Sequence, residues 1–320
     1  MKTDLFAEEK FKVVVLGCHG GPKENNLSCY LLAPIESNEY IALDAGTLLE
    51  GIFIATKNKS FDDIKTNPFS TEDREIEIFR SHVSGYFISH AHLDHVSGLI
   101  INSTADSKKT IFGIDSTIDF IRDYLFNWKI WPNFASEGTK PYLNHYQYKR
   151  LNIGEKISLE RPKVNIEPFL LSHPDGYQST AFLIESSDSY VVYFGDTAPD
   201  SLESQKNIEK IWHKIAPLIS QNKLRGIFLE CSFSSEVGPS HLHGHLNTTY
   251  MMEELNKLAR LVNPSSPETA LKNVKVIVTH IKNTFHNGVS AQQIIQDELK
   301  KLNNLNVQLI FPEQGKKIEL

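Results

Sequence analysis

Cysteine is scarce in this chain. Three occur in 320 residues, Cys18, Cys29 and Cys231, with no C-x-x-C pair. Three thiols cannot build a disulfide framework. The usage suits a reducing compartment and an ordinary periplasmic enzyme alike. Long apolar runs are also missing: none approaches the roughly 20 residues that a membrane-spanning helix needs. Basic residues are not in surplus, with 33 Lys and Arg against 39 Asp and Glu and a net charge of −6. That balance excludes the broad basic footprint by which a protein grips duplex DNA, and no nucleic-acid or membrane partner is expected. Residues 1–10 carry Asp4, Glu8 and Glu9 and no apolar core, so they do not read as a signal peptide. The expected location is the cytoplasm, with the periplasm left open. Low-complexity tracts, sequence repeats and linker-like stretches are absent. The chain therefore reads as one domain over 1–320 with an aromatic-rich insert at about 112–150, long enough to bury a substantial core.

What the chain does hold is a series of short β-branched segments, several ending on a residue that can bind or move a proton. Residues 12–16, 27–33, 40–43, 85–89, 164–171, 180–184, 190–194, 226–229, 274–278 and 307–311 read as strands, while 48–53, 115–128, 208–219, 248–261 and 290–302 have helical spacing. The polar stretch 57–73 reads as a loop. Strands and helices are mixed throughout, which makes the class α+β. Five of the strands run into His90, His173, Asp196, Glu230 and His280. Strand ends are where a rigid sheet can assemble one site from distant parts of a sequence.

The chain has 13 histidines, and the densest group is Ser89-His90-Ala91-His92-Leu93-Asp94-His95. His90, His92 and Asp94 alternate at period two, and His95 breaks the alternation as a turn entering a helix would. Such a loop cannot aim four side chains at one point, but it can serve two adjacent points. His90 and His92 would hold one metal, Asp94 and His95 a second; imidazole and carboxylate together suit zinc, and also iron or manganese. Later strand ends offer the remaining ligands. His173 would complete the first metal, Asp196 would bridge both, and His280 would complete the second.

The H-x-H-x-D-H loop together with His173, Asp196 and His280 resembles the metallo-β-lactamase superfamily of hydrolases. The likeness covers residues from about 13 to 311. It implies a four-layer αβ/βα sandwich with the site at one edge between two sheets. Within that superfamily, Gly17-Cys18-His19-Gly20-Gly21-Pro22, Asn25-Asn26-Leu27-Ser28-Cys29-Tyr30, Asp44-Ala45-Gly46-Thr47, Ile130-Trp131-Pro132-Asn133 and Thr279-His280-Ile281-Lys282 resemble the class II cyclic-nucleotide phosphodiesterases. This implies metal-dependent hydrolysis of 3′,5′-cyclic AMP, and often cyclic GMP, to 5′-nucleotides by a hydroxide bridging two divalent ions, zinc being expected first with Mn²⁺ or Fe as substitutes. A homodimer is implied as well.

The chemistry agrees. Two metals can activate water and clamp a phosphodiester in line, and the 3′-oxygen leaves poorly unless protonated. His245, in Gly244-His245-Leu246, is the candidate acid and Glu230 its orienter, an arrangement that also resembles the proton donor of tRNA 3′-processing nucleases. Asp94 is taken both as ligand and as catalytic carboxylate. His241 and His243 read as exposed loop histidines. A purine needs a flat apolar wall. One or two of the aromatics between Phe120 and Tyr148 could supply it, with Asn133 and Asn144 as base-edge partners. The Gly17–Pro22 loop could cradle phosphate through backbone N–H groups or merely turn the chain. Two alternatives remain open at this point: an RNA 3′-processing nuclease of the same fold, and a metal-binding regulatory module without turnover. A thioester or lactone hydrolase would share the metal loop but leave the other segments unexplained.

Overall fold

A computed structural model describes residues 10–65, 71–284 and 288–320. The expectation about residues 1–10 lies almost wholly outside the described residues, as does part of the loop expected at 57–73. Fourteen strands are described: β1 (Phe11–Gly17), β2 (Cys29–Pro34), β3 (Tyr40–Leu43), β4 (Val83–Phe87), β5 (Lys109–Gly113), β6 (Tyr146–Arg150), β7 (Ile157–Glu160), β8 (Lys163–Ser172), β9 (Gln178–Ser186), β10 (Ser189–Phe194), β11 (Leu224–Glu230), β12 (Lys275–Thr279), β13 (Gln308–Ile310) and β14 (Lys317–Glu319). They form two seven-stranded sheets, ordered β14-β1-β2-β3-β4-β5-β6 and β7-β8-β9-β10-β11-β12-β13. The pairing scheme is the same in both. The first three pairs are antiparallel and the last three parallel, in the first sheet and in the second.

Eight helices accompany the sheets: α1 (Leu49–Lys57), α2 (Arg74–Glu77), α3 (Leu93–Asn102), α4 (Asp115–Phe120), α5 (Asn207–Ser220), α6 (Thr248–Val262), α7 (Pro267–Ala270) and α8 (Ala291–Leu302). Alternation along the strands sorts the core into three. Val13, Val15, Leu32, Ile41, Phe87, Ile166, Phe182, Val191 and Phe228 fill the space between the sheets. Val14, Leu31, Ala42 and Ile111 face the other way and pack under Ile52 of α1 and Val96 and Leu99 of α3. Val192, Ile227 and Val278 do the same under Ile211 of α5, Leu255 of α6 and Ile295 of α8. The result is helix, sheet, sheet, helix: the four-layer α+β sandwich expected. Strands covered on both faces read as unbroken apolar runs, which is why β1 is buried at every position.

All ten strands read from the sequence are present. The four missed are β5, β6, β7 and β14. Three of these are sheet edges, and β6 and β7 alternate buried or half-buried with exposed residues along polar sequences. The helix expected over 115–128 ends earlier. After α4 the chain widens into one π turn, Ile121–Leu125. It then reverses as the Asn127 side chain accepts from the backbone N–H groups of Lys129 and Ile130 and Trp128 adopts φ 64°.

Parallel neighbours end at the same edge. The carboxyl ends of β10, β11 and β12 therefore lie side by side, with β8 running the same way two strands over. β3 and β4 end together in the first sheet. These ends carry the site.

Phe87 stacks on Phe112 with centroids 4.3 Å apart and meets Phe182 edge-on at 5.6 Å across the sheets. Phe87→Ala is expected to cost about 3–5 kcal/mol of stability, read by urea unfolding; a loss below about 1 kcal/mol would mean that the layers are not held together there.

Candidate metal centre and active site

Asp44 follows β3, and the Ser89–His95 segment follows β4 into α3. His173 follows β8, Asp196 follows β10, Glu230 ends β11 and His280 follows β12. The two sheets thus present their strand ends to a common point. His90, His95, His173, Asp196, Glu230, His245 and His280 are all buried there.

Among the described residues four overlapping donor groups result; His173, Asp196 and His245 make one and Glu230, His245 and His280 another, while two leave His245 out. His90, His92 and His173 form the first, with one ring nitrogen from each within 4.8 Å of the others; Asp94, His95, Asp196 and His280 form the second. His92 Nδ1 lies 3.1 Å from His90 Nε2 and 3.3 Å from His173 Nε2. A divalent ion bound tetrahedrally at about 2.0–2.2 Å would set its ligands about 3.3–3.6 Å apart, so the spacing fits. Asp196 Oδ2 reaches both groups, at 3.7 Å from His90 Nε2, 3.9 Å from His173 Nε2, 3.3 Å from His95 Nε2 and 3.1 Å from His280 Nε2. His95 Nε2 is buried without a hydrogen-bond partner. A buried imidazole nitrogen left unpaired beside two carboxylates is what a metal ligand looks like before its ion is added.

The opposite nitrogen of most rings is tied down. His95 Nδ1 donates to Asp44 Oδ2 at 2.7 Å. His90 Nδ1 lies 3.0 Å from Ser89 Oγ, whose hydroxyl donates to the same Asp44 oxygen at 2.8 Å. His173 Nδ1 donates to the Gly244 carbonyl at 2.9 Å. His280 Nδ1 lies 2.9 Å from Ser232 Oγ, which donates to Glu230 Oε2 at 2.6 Å. His92 is held by its face instead, stacked on Tyr177 at 4.6 Å. Such contacts fix which nitrogen faces the ion and raise its basicity.

Glycine makes the close approaches possible. A Cβ on Gly20 would sit 2.2 Å from the His280 ring, and one on Gly244, at φ 77°, would sit 2.1 Å from Pro174 Cδ. His280 and Asp44 themselves hold left-handed backbone, at φ 60° and 56°. For non-glycine residues that conformation persists only where the surroundings enforce it.

Charge at the site is divided unevenly. Burial and the neighbouring imidazoles push His90 and His92 down, and His173 falls to about 4. These rings are neutral, as ligands must be. Burial also opposes charge on His95, but Asp196, Asp44 and Asp94 outweigh it and hold that ring above the ordinary value. His245 behaves likewise. Burial would lower it, yet Glu230 and Asp196 raise it. Its Nδ1 donates to Glu230 Oε1 at 3.0 Å, while Asp196 is farther at 3.7 Å. Glu230 is further pinned by the N–H groups of Thr197 at 2.9 Å and Leu246 at 3.3 Å.

All nine residues singled out as ligand or catalytic group meet here, with Glu230 behind His245. His241 and His243 are exposed and stand apart. Two readings fail. Asn133 is fully buried and spends its amide on its own loop, donating to the Glu137 and Thr139 carbonyls at 2.8 Å and accepting from Ala135 N–H. Asn144 donates to the Tyr142 carbonyl two residues back. The Gly17–Pro22 loop is no phosphate cradle, because the N–H groups of Cys18, His19 and Gly20 are already given to the Asn26 and Ile281 carbonyls. Most of the 112–150 aromatics pack in the core or lie away from the ligands, and only Phe120 lines a cleft at the site, beside Tyr177 and His92. The residues that sequence reasoning assigned no role are Asp44, Ser89, Ser232 and Tyr177. For Asp44 a signal existed: it closes a strand, like the other acidic and imidazole groups of the site.

Two seven-stranded sheets with a histidine–aspartate cluster between their ends define the metallo-β-lactamase fold. The fold protein YhfI of Bacillus subtilis superposes with a TM-score of 0.60 at 18% identity, over 98% of this chain and 100% of that one. Unliganded yeast PDE1 superposes more closely, with a TM-score of 0.81 at 27% identity over 98% of this chain and 100% of that one. The family model of the class II cAMP phosphodiesterases matches residues 8–315. A Yersinia pestis protein named a probable 3′,5′-cyclic-nucleotide phosphodiesterase is 39% identical over 95% of this chain and 88% of its own length. The chain belongs to the class II cAMP phosphodiesterase family.

Asp44→Asn keeps the shape, and asparagine tolerates the left-handed backbone. It removes the charge behind His95 and His90. Metal affinity is expected to fall about 10–100-fold, measured by competition with a chromophoric chelator; unchanged affinity would show that Asp44 serves packing alone.

Proposed function

We propose that this enzyme hydrolyses 3′,5′-cyclic nucleotides, cyclic AMP foremost and cyclic GMP in addition, to 5′-nucleotides, with two divalent ions, zinc first among them. His90, His92 and His173 would hold one ion, Asp94, His95 and His280 the other, and Asp196 both. When bound, the pair would neutralise the phosphoryl oxygens and make water a competent nucleophile at neutral pH. The observation that carries the reading is the His245–Glu230 pair, set beside both donor groups with the ring's Nδ1 given to the carboxylate. A ring whose Nδ1 is committed to a carboxylate keeps Nε2 for one task. As a water oxygen bonds to phosphorus and the P–O3′ bond breaks, His245 gives its proton to the departing 3′-oxygen. Glu230 sets the ring's tautomer and its charge. Asp94, less enclosed than Asp196, borders a cleft open to a ligand.

Purified protein given cyclic AMP should yield 5′-AMP, and prior removal of metal by a chelator should abolish this until Zn²⁺ or Mn²⁺ is restored. Persistence of full activity without metal would end the proposal. His245→Ala should leave metal content intact and slow cyclic AMP hydrolysis by about 10²–10⁴-fold, with a smaller loss on an ester whose leaving group is already acidic. Equal losses on both would remove His245 from the proton transfer.

The acid works only while protonated, so the rate falls as pH rises through the elevated value of His245. Glu230→Gln takes away the nearest carboxylate that raises it. The alkaline fall should then begin at lower pH, while metal content is retained; an unmoved alkaline limb would assign it to another group.

A further inference from the structure

The cluster is flanked by two clefts. On the His92 side lies a cavity of about 520 Å³ bordered by Phe120, Tyr177 and Gln178. Its best ring is already engaged: Tyr177 stacks with His92 at 4.6 Å and with Phe120 at 5.3 Å. On the Asp94 side lies a larger cleft of about 900 Å³, walled by α3, the Gly20–Glu24 turn and Phe233. Its α3 wall is unusual for a helix surface. Leu93 is 65% exposed and Ile101 58% exposed, and both border the cleft. Residues eight apart share one broad helix face and stand about 12 Å apart along the axis, which suffices for a sugar and a base laid end to end. Pro22 and Phe233 supply more apolar surface. Large apolar side chains left open beside a concavity mark a binding surface.

The inner end of this cleft carries a cation. Lys282 Nζ donates to the Gly20 carbonyl at 2.9 Å and its N–H to the Ser232 carbonyl at 3.1 Å. Among the described residues no carboxylate pairs with it. It stands two residues beyond His280 and borders the same cleft as Asp94, so its charge faces the space an anion would occupy there. An unpaired ammonium at one end and a dry wall leading away from it match a phosphate joined to an apolar flat ring. Neither half alone would select that combination.

We infer that the Asp94-side cleft is the nucleotide seat: Lys282 takes a non-bridging phosphoryl oxygen, and the base lies along the Leu93–Ile101 stripe against Pro22 and Phe233. This rests on the cyclic-nucleotide reading above and adds to it which residues bind the two ends of the substrate. Base recognition here is apolar contact along a helix, not the stacking on aromatic insert residues that the sequence suggested.

The test compares cyclic AMP with its abasic counterpart, methyl riboside 3′,5′-cyclic phosphate, on the metal-loaded enzyme. The parent should favour cyclic AMP in kcat/KM. The exposed double variant Leu93→Gln/Ile101→Gln should cut that preference about tenfold. Lys282→Met should raise KM about tenfold for both esters with less change in kcat, and Lys282→Arg should recover most of it. An unaltered preference in the double variant overturns the base assignment, and so does loss of preference in Phe120→Gln instead, which would place the base in the opposite cleft. Unchanged KM in Lys282→Met overturns the phosphate assignment. A parent that hydrolyses neither ester overturns the functional reading itself and this inference with it; a parent active on cyclic AMP with indifferent variants overturns the inference alone.

Discussion

One oxygen, Asp196 Oδ2, has imidazole nitrogens of His90, His95, His173, His245 and His280 within 3.1–3.9 Å. The carboxylate is almost fully buried. An anion taken out of water costs several kcal/mol unless compensated, and neutral imidazoles turned lone pair first toward it offer no compensation. Protonation covers part of the debt, as the raised His95 shows. Yet the same crowding drives His90 and His173 down. The proton cannot be supplied to all of them, and divalent cations can replace it. The donor set is therefore built for metal by electrostatics as well as by residue type.

Holding such a cluster demands a scaffold that cannot relax. The repeated pairing scheme of the two sheets provides it. β3 and β10 occupy the same place in their sheets, at the change from antiparallel to parallel, and each ends just before a buried aspartate, Asp44 or Asp196. Asp44 and Glu230 then act alike. Each carboxylate receives one histidine directly, His95 or His245, and a second through a serine, His90 through Ser89 or His280 through Ser232. Each also takes backbone N–H groups, from Ser89 to Asp44 and from Thr197 and Leu246 to Glu230. Four rings are oriented by two anions that are themselves immobilised by the chain.

This explains what could be read from the sequence. The layers were legible because strands covered on both faces need unbroken apolar runs, and the edges were not, since β6, β7 and β14 answer to solvent on one side. The ligand types at His90, His92, Asp94 and His95 stand out because so many metal-binding groups in six residues have few other uses. His173, Asp196 and His280 follow from their places at strand ends. Asp44 hides because an aspartate shortly before a glycine, here Asp44-Ala45-Gly46, also reads as a turn. Ser89 and Ser232 hide because a hydroxyl's partner depends on the fold around it. Asn133 misleads for the opposite reason: an asparagine among aromatics suggests recognition, while its amide is consumed in closing its own loop.

Glu230 has the most divided duty, because it holds two neighbouring histidines in two different ways. His245 and His280 lie face to face, with centroids 5.1 Å apart, so nothing in their surroundings alone would stop both from binding metal. The difference lies in how each reaches Glu230. His280 does so through a serine hydroxyl, which orients its ring. His245 does so directly, and a carboxylate in contact at low dielectric favours the protonated ring strongly enough to overcome burial. His95, in contact with Asp44, is raised in the same way, so charge by itself does not tell a ligand from an acid. The one carboxylate thus holds two neighbouring histidines through two kinds of contact, and the roles proposed for them draw on that difference.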